Sequence, residues 1–191
     1  DGSIVDRVAN SINHTRIDFD DDGLFEIKLT PNPVGPNQFK LDDDVVNLFT
    51  REYFFDRFNS QESELSIRNI STDKFPSVID DDTLAHRIKV MTTFFQQSTW
   101  LAPLPIEFPI NDFLPPFPFD AEQGGWGTVD NIYCFGRYHL KQNEYLKIEF
   151  SSPECCYWGV QTWNYLMQSM DYRHYPVGLN KGNAIPNDEG N

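Results

Sequence analysis

The chain has 191 residues, 39% of them hydrophobic, and a formal net charge of −14 from 29 Asp and Glu against 15 Lys and Arg. A chain of this length suits one domain and buries roughly 70% of its unfolded surface without disulfide or metal staples. The acidic balance leaves no basic cluster to displace the counterions of a nucleic acid or meet an anionic membrane, and with no run of about 18 apolar residues and a mean hydropathy of −0.50 a soluble protein is expected.

Residues 3–12 place Ile4, Val5, Val8 and Ile12 at a spacing that fits a short amphipathic helix or helical turn. Arg16 to Phe19 then alternates, turns at Asp22-Gly23 and resumes as Leu24 to Leu29, the pattern of a hairpin. Pro31, Pro33, Gly35 and Pro36 end its second strand. Residues 45–58 are rich in β-branched and aromatic types and read as a long, bent strand. In the stretch 63–70, Leu65 and Ile67 alternate with polar residues and are expected to face inward.

The one clear helix is 81–100, with Leu84, Ile88, Met91 and Phe95 on one stripe and the acidic triplet Asp80-Asp81-Asp82 at its positive end. Residues 101–127 form a proline-rich segment, with Phe108, Phe113, Phe117 and Phe119, whose prolines oppose regular pairing and whose aromatics predict a strap packed on the surface. Strands are expected at 131–140, 144–150 and 156–164, with Asn143 and Pro153 at the turns, and a loop from Pro176 onward. The pattern predicts a mainly β fold: a single antiparallel β-sandwich over 1–191 with one amphipathic helix packed at an edge. The first residue is Asp1 and no signal peptide or other targeting segment is visible, so the expectation is a fragment or processed product of unknown localisation.

The motif search is mostly negative. Asp18-Phe19-Asp20-Asp21-Asp22-Gly23 has the first half of a calcium loop, but Leu29 stands where the bidentate Glu belongs, so a solvated turn is expected. His14, His86, His139 and His174 show no H-x-x-x-H spacing, and no metal site is expected. No nucleophile elbow, P-loop or dinucleotide fingerprint occurs, so no cofactor is expected either. Cys134, Cys155 and Cys156 are read as three reduced thiols of packing value, with Cys156 buried beside Trp158 by strand parity. Asn13-His14-Thr15 and Asn69-Ile70-Ser71 are glycosylation sequons only in a secreted setting.

The unusual chemistry gathers between Cys155 and Asn180. Tyr157, Trp158, Trp163, Asn164, Tyr172 and Asn180 have the amphipathic rings and amides of a pocket wall, against the alternative that they fill the core. Asp171, His174, Arg51 and Gln161 are the catalytic candidates: a carboxylate to orient a histidine base, and a cation and an amide for developing charge. The alternative is a surface turn holding an ion pair.

Several blocks resemble the family called domain of unknown function 1214: Asp22 to Ile27, Arg51 to Asp56, Gly136 to Glu149, Tyr157 to Gln161, and Ser169 to Tyr172 running on to Leu179-Asn180. Two departures stand out. The family has Asn-Trp-Leu where this chain has Asn37-Gln38-Phe39, and it continues beyond the point where this sequence ends in Asp188-Glu189-Gly190-Asn191. The resemblance implies a jelly-roll-like sandwich and no particular reaction. Three functions are therefore carried forward: a protein binding a small polar or carbohydrate-like ligand; a hydrolase- or transferase-like enzyme; and an assembly or interaction protein, oligomeric or part of a larger complex, using the 103–119 strap.

Overall fold

The structure, a computed structural model, describes residues 7–71, 78–101, 107–118, 120 and 127–187. Within these, eight short strands, one 3-10 turn (His14–Arg16) and one α-helix are formed. The strands are β1 (Lys28–Thr30), β2 (Gln38–Lys40), β3 (Asp112–Phe113), β4 (Phe117–Pro118), β5 (Ile132–Tyr133), β6 (Gly136–Arg137), β7 (Gly159–Gln161) and β8 (Gly178–Asn180), and the helix α1 is Asp81–Leu101. Every sheet is a two-stranded pair, and no barrel closes among the described residues. No helix of the described residues is long and apolar enough to cross a membrane.

The chain divides into two compact units. The first comprises Asp1–Phe49 and Glu107–His139. The Asp22-Gly23 turn forms there as expected. Gly23 takes φ +78°, and the Asp20 amide donates to the Leu24 carbonyl at 3.0 Å. The flanking ladder does not follow. β1 instead pairs in parallel with β2, Leu29 opposite Phe39. Parallel neighbours ordinarily need a crossover of about a dozen or more residues. Here residues 31–37 suffice because Asn37, at φ 51°, reverses the chain and offers its carbonyl to the Lys28 amide at 2.9 Å. Phe39, 8% exposed, is the buried hydrophobic side chain of the described residues, with the Arg16 guanidinium 5.5 Å from its ring centre.

In the same unit the described part of the proline-rich segment does pair. Phe113 lies opposite Gly136 and Phe117 opposite Tyr133, both antiparallel. The prolines limit each strand to two residues rather than abolishing it. Gly136 is required, because a Cβ there would run into the Asp112 carbonyl. Along 131–138 burial alternates with period two, so Tyr133, Phe135 and Arg137 face one side. Tyr133 stacks on Phe135 at 5.9 Å, Phe117 lies 5.8 Å from Phe135, and Arg137 sits 4.8 Å over Phe108. The segment is thus strapped down by its aromatics; Phe119, with residues 102–106 and 121–126, lies outside the described residues.

The second unit comprises Thr50–Ile106 and Leu140–Asn191 and carries α1 and the antiparallel pair β7–β8. Asp80 caps α1 by accepting the Thr83 amide at 2.7 Å. Its expected buried stripe is exposed: Leu84 50%, Ile88 53%, Met91 65% and Phe95 71%. The half-buried positions are Val90, Thr93, Gln97, Ser98 and Leu101. At about 100° per residue, Val90, Thr93, Gln97 and Leu101 fall on the side away from the apolar stripe. Periodicity identifies a stripe but not what covers it.

Three further expectations fail in the same way. Residues 45–58, 63–70 and 144–150 form no strands, and Leu65 and Ile67 are exposed at 52% and 84%. β-rich composition signals a fit to a pleated surface, and among the described residues no strand pairs with these segments to supply one. The first instead ends in a turn where Asp56 accepts the Phe58 and Asn59 amides at 3.0 and 3.3 Å. The helix expected over 3–12 is absent across residues 7–12; Ile4 and Val5 lie outside the described residues.

Candidate functional site

Most site residues expected from sequence fall in the second unit, on and around β7–β8. Gly159 pairs with Asn180, Val160 with Leu179 and Gln161 with Gly178. The Thr162 amide and hydroxyl both donate to the Val177 carbonyl, at 3.1 and 2.8 Å, and extend the pair. The structure brings Tyr157 and Asn180 together with two residues the sequence reading did not select, Tyr53 and Phe55. Their rings lie 5.1 and 5.6 Å from that of Tyr157. Burial raises the Tyr157 hydroxyl pKa above the usual range, a hydrogen bond with Asn180 opposes the shift, and Tyr53 adds to it.

The polar ends of these residues are spent on the fold. Asn180 donates to the Phe54 and Phe55 carbonyls at 3.2 and 3.1 Å and accepts the Gly182 and Asn183 amides at 2.8 and 3.3 Å. The amide protons and the carbonyl oxygen of Asn180 are thus engaged within the fold. Trp158 donates from Nε1 to Ser152 Oγ at 2.8 Å and meets Phe150 edge-to-face at 5.0 Å. Asn164 accepts the Leu166 and Gln168 amides at 2.9 and 3.0 Å and donates to Gln168 Oε1, closing the turn beyond the Trp163–Ser169 bridge. Trp163 and Tyr172 are the exposed rings of the set, at 40% and 49%.

Among the catalytic candidates, the Asp171 carboxylate is engaged by Arg173. Both Asp171 carboxylate oxygens take bonds from the Arg173 guanidinium, at 2.9 and 3.3 Å. His174 meets Asp171 only through its backbone amide, at 3.4 Å from the Asp171 carbonyl. Gln161 covers Gly178, where a Cβ would stand 3.0 Å from its Oε1. Arg51 is exposed on the extended run before the Asp56 turn.

The cysteines are free, but all three are exposed rather than buried. β7 begins only at Gly159, after a bend at 154–156, so the parity that placed Cys156 inside does not apply. Cys134 is on the outward side of the 131–138 alternation. It donates to the Leu114 carbonyl at 3.3 Å, and partial burial there pushes the thiol pKa up.

The first unit holds a wide-mouthed concavity of about 550 Å³ lined by Asp18, Phe19, Asp20, Phe25, Glu26 and Asn37 among others. The Asp22-Gly23 turn brings Phe19 and Phe25 edge-to-face at 5.3 Å. Asn37 fixes the rim by accepting the Asp18 amide at 2.8 Å and donating to the Asp18 carbonyl at 2.7 Å. Asp20 Oδ1 is committed to the Asp22 and Leu24 amides, at 3.0 and 2.7 Å. The carboxylates of Asp18 and Glu26 pair with no cation of the described residues. The turn was legible in the sequence; that it brings two rings into edge contact in one concavity with Asp18, Asp20 and Glu26 needed the fold. No three His, Cys, Asp or Glu of the described residues form a group able to hold a metal ion.

Comparison with protein-family models and with curated proteins finds no match. Among solved structures, the chain is similar to the crystal structure of an uncharacterized protein from Burkholderia cenocepacia, at 25% identity and a TM-score of 0.71. The match covers 94% of this chain and 51% of that one, so the chain spans about half the length of the protein it resembles.

Proposed function

We propose that the protein binds a small polar, carbohydrate-like ligand in the concavity of the first unit. One observation carries this reading: the Phe19–Phe25 pair lines the same concavity as Asp18 and Glu26, whose carboxylates pair with no cation of the described residues. A sugar-like molecule offers an apolar C–H face to such rings and hydroxyl or amine donors to such acceptors. The residues first considered for this role, Tyr157, Trp158, Asn164 and Asn180, have their polar atoms engaged within the second unit. The hydrolase- or transferase-like alternative draws no support from Asp171, whose carboxylate is taken by Arg173.

The same proposal includes the family and its architecture. Three of the four strand pairs are antiparallel, as the seams of a jelly-roll sandwich would be, and the blocks shared with domain of unknown function 1214 span both units. Hydrogen exchange addresses the architecture: a closed sandwich protects the amides of 144–150, whereas an unpaired segment leaves them in fast exchange.

Ligand-observed NMR with a panel of neutral and amino sugars tests the binding reading. Saturation transfer is expected for the wild type and is lost in Phe25→Ala and in the Asp18→Asn, Glu26→Gln double variant, with circular dichroism unchanged. Transfer from no sugar at millimolar concentration, or equal transfer to the variants, would defeat it.

A further inference from the structure

Cys155 and Cys156 are adjacent, reduced and exposed. They occupy the bend at 154–156 that leads into β7. The bend is pinned from the far side of the hairpin: Lys181 Nζ donates to the Cys155 carbonyl, and the Lys181 amide donates to the Trp158 carbonyl at 3.1 Å. The Cys155 thiol makes one weak bond, to the Tyr157 carbonyl at 3.2 Å. A fixed backbone thus presents two thiols to solvent, and neither one fills a core nor bridges another cysteine.

Consecutive Cα atoms stand about 3.8 Å apart, so joining the two thiols through one centre closes no long loop of chain and needs only side-chain rotation. Structural zinc takes four ligands, and no group of three His, Cys, Asp or Glu among the described residues could contribute them. Two thiols without a third protein ligand suit a soft centre of low coordination number. We propose that Cys155 and Cys156 form a two-thiol chelate for such a thiophilic centre, of the class of monosubstituted trivalent arsenicals. With an arsenic(III) oxide of this class, two As–S bonds form, the As–O bond is lost, and the two thiol protons leave with the oxygen as one water. No electron is transferred and no other reactant is needed. The only bond within the described residues that must break is that from the Cys155 thiol to the Tyr157 carbonyl. This site belongs to the second unit and does not depend on what binds in the concavity of the first.

Native mass spectrometry of the full chain with one equivalent of phenylarsine oxide tests it. The expected result is a single adduct that survives a large excess of a monothiol and is released by a dithiol. Cys134→Ser should retain that behaviour. Cys155→Ser and Cys156→Ser should each lose it, with retention falling on the order of 10²–10⁴-fold as the second bond ceases to be intramolecular. These side chains are exposed, and circular dichroism should be unchanged in every variant. An adduct stripped from the wild type by monothiol, or one that depends on Cys134, overturns the proposal.

Discussion

Asparagine side chains do much of the work that strand ladders do elsewhere. Asn37 and Asn111 both take left-handed backbone, at φ 51° and 58°, a region this residue tolerates better than most. Each then treats a remote residue as a strand would, accepting its amide and donating to its carbonyl: Asn37 with Asp18, and Asn111 with His139 at 2.8 and 3.3 Å. Asn180 fastens the 54–55 backbone to the turn after β8 in a related manner. Replacing it takes these bonds from the Phe54 and Phe55 carbonyls and the Gly182 amide, leaves the Asn183 amide only its bond to the Asn180 carbonyl, and releases Tyr157. Asn180→Ala should therefore cost about 1–3 kcal/mol, read as a lower urea midpoint by tyrosine and tryptophan fluorescence. Asn180→Asp, isosteric but unable to donate, should recover little of the loss. An unchanged midpoint in both would mean that water replaces the amide without penalty. The sequence marked Asn180 as a residue of consequence, yet its partners are backbone atoms far away in the chain, which no local pattern encodes.

Elements follow the same division between what is local and what is not. The start of α1 was legible because a cap is local: Asp80 precedes the helix and accepts the Thr83 amide. Bonds from the Thr83 side chain and then its backbone hold the Asp80 carboxyl below the usual carboxylate pKa. A pKa lowered on folding stabilises the folded state fully above the unfolded value of about 3.9. That contribution fades as pH falls through the depressed value. Helicity at 222 nm should therefore drop below about pH 4 in the wild type. Asp80→Asn, which still caps but does not titrate, should flatten that drop. The stripe of α1 was legible as a pattern, but its burial was not, since a helix face is covered or left open by distant chain. With Ile88 and Met91 more than half exposed, Ile88→Ser and Met91→Ser should each stay within about 0.5 kcal/mol of wild type in the isolated chain. A loss of about 2 kcal/mol or more would place that stripe in contact with something. The missing strands at 63–70 and 144–150 have the same origin: alternation was present, but a ladder needs a neighbour, and the sequence of one strand does not name its partner.

At the scale of the whole molecule, charge rather than packing is the term most open to manipulation. Phe39 is the buried hydrophobic side chain of the described residues, while many large apolar side chains are open to water. A net charge of −14 then opposes the compact state through self-repulsion. Ion pairs work the other way. Arg7 reaches Asp44 at 2.6 Å and Asp42 at 3.4 Å, Lys40 reaches Asp42 at 2.8 Å, and Lys147 reaches Glu149 at 2.7 Å. Added salt weakens both effects, so the response of stability to salt shows which is larger. Exposed pairs contribute only about 0–1 kcal/mol each, and the cations in these pairs range from 34% to 67% exposed. The repulsion is spread over 29 carboxylates with 15 basic side chains to offset them, and a Debye length of about 10 Å at 0.1 M removes most of it beyond near neighbours. Repulsion should therefore dominate. The thermal midpoint at pH 7 should rise as sodium chloride is raised from low to near-physiological strength, and Arg7→Gln should steepen the rise, since it adds net negative charge and removes a pair that salt weakens. A midpoint that falls with salt would instead show that the Arg7, Lys40 and Lys147 pairs outweigh the field of the whole chain.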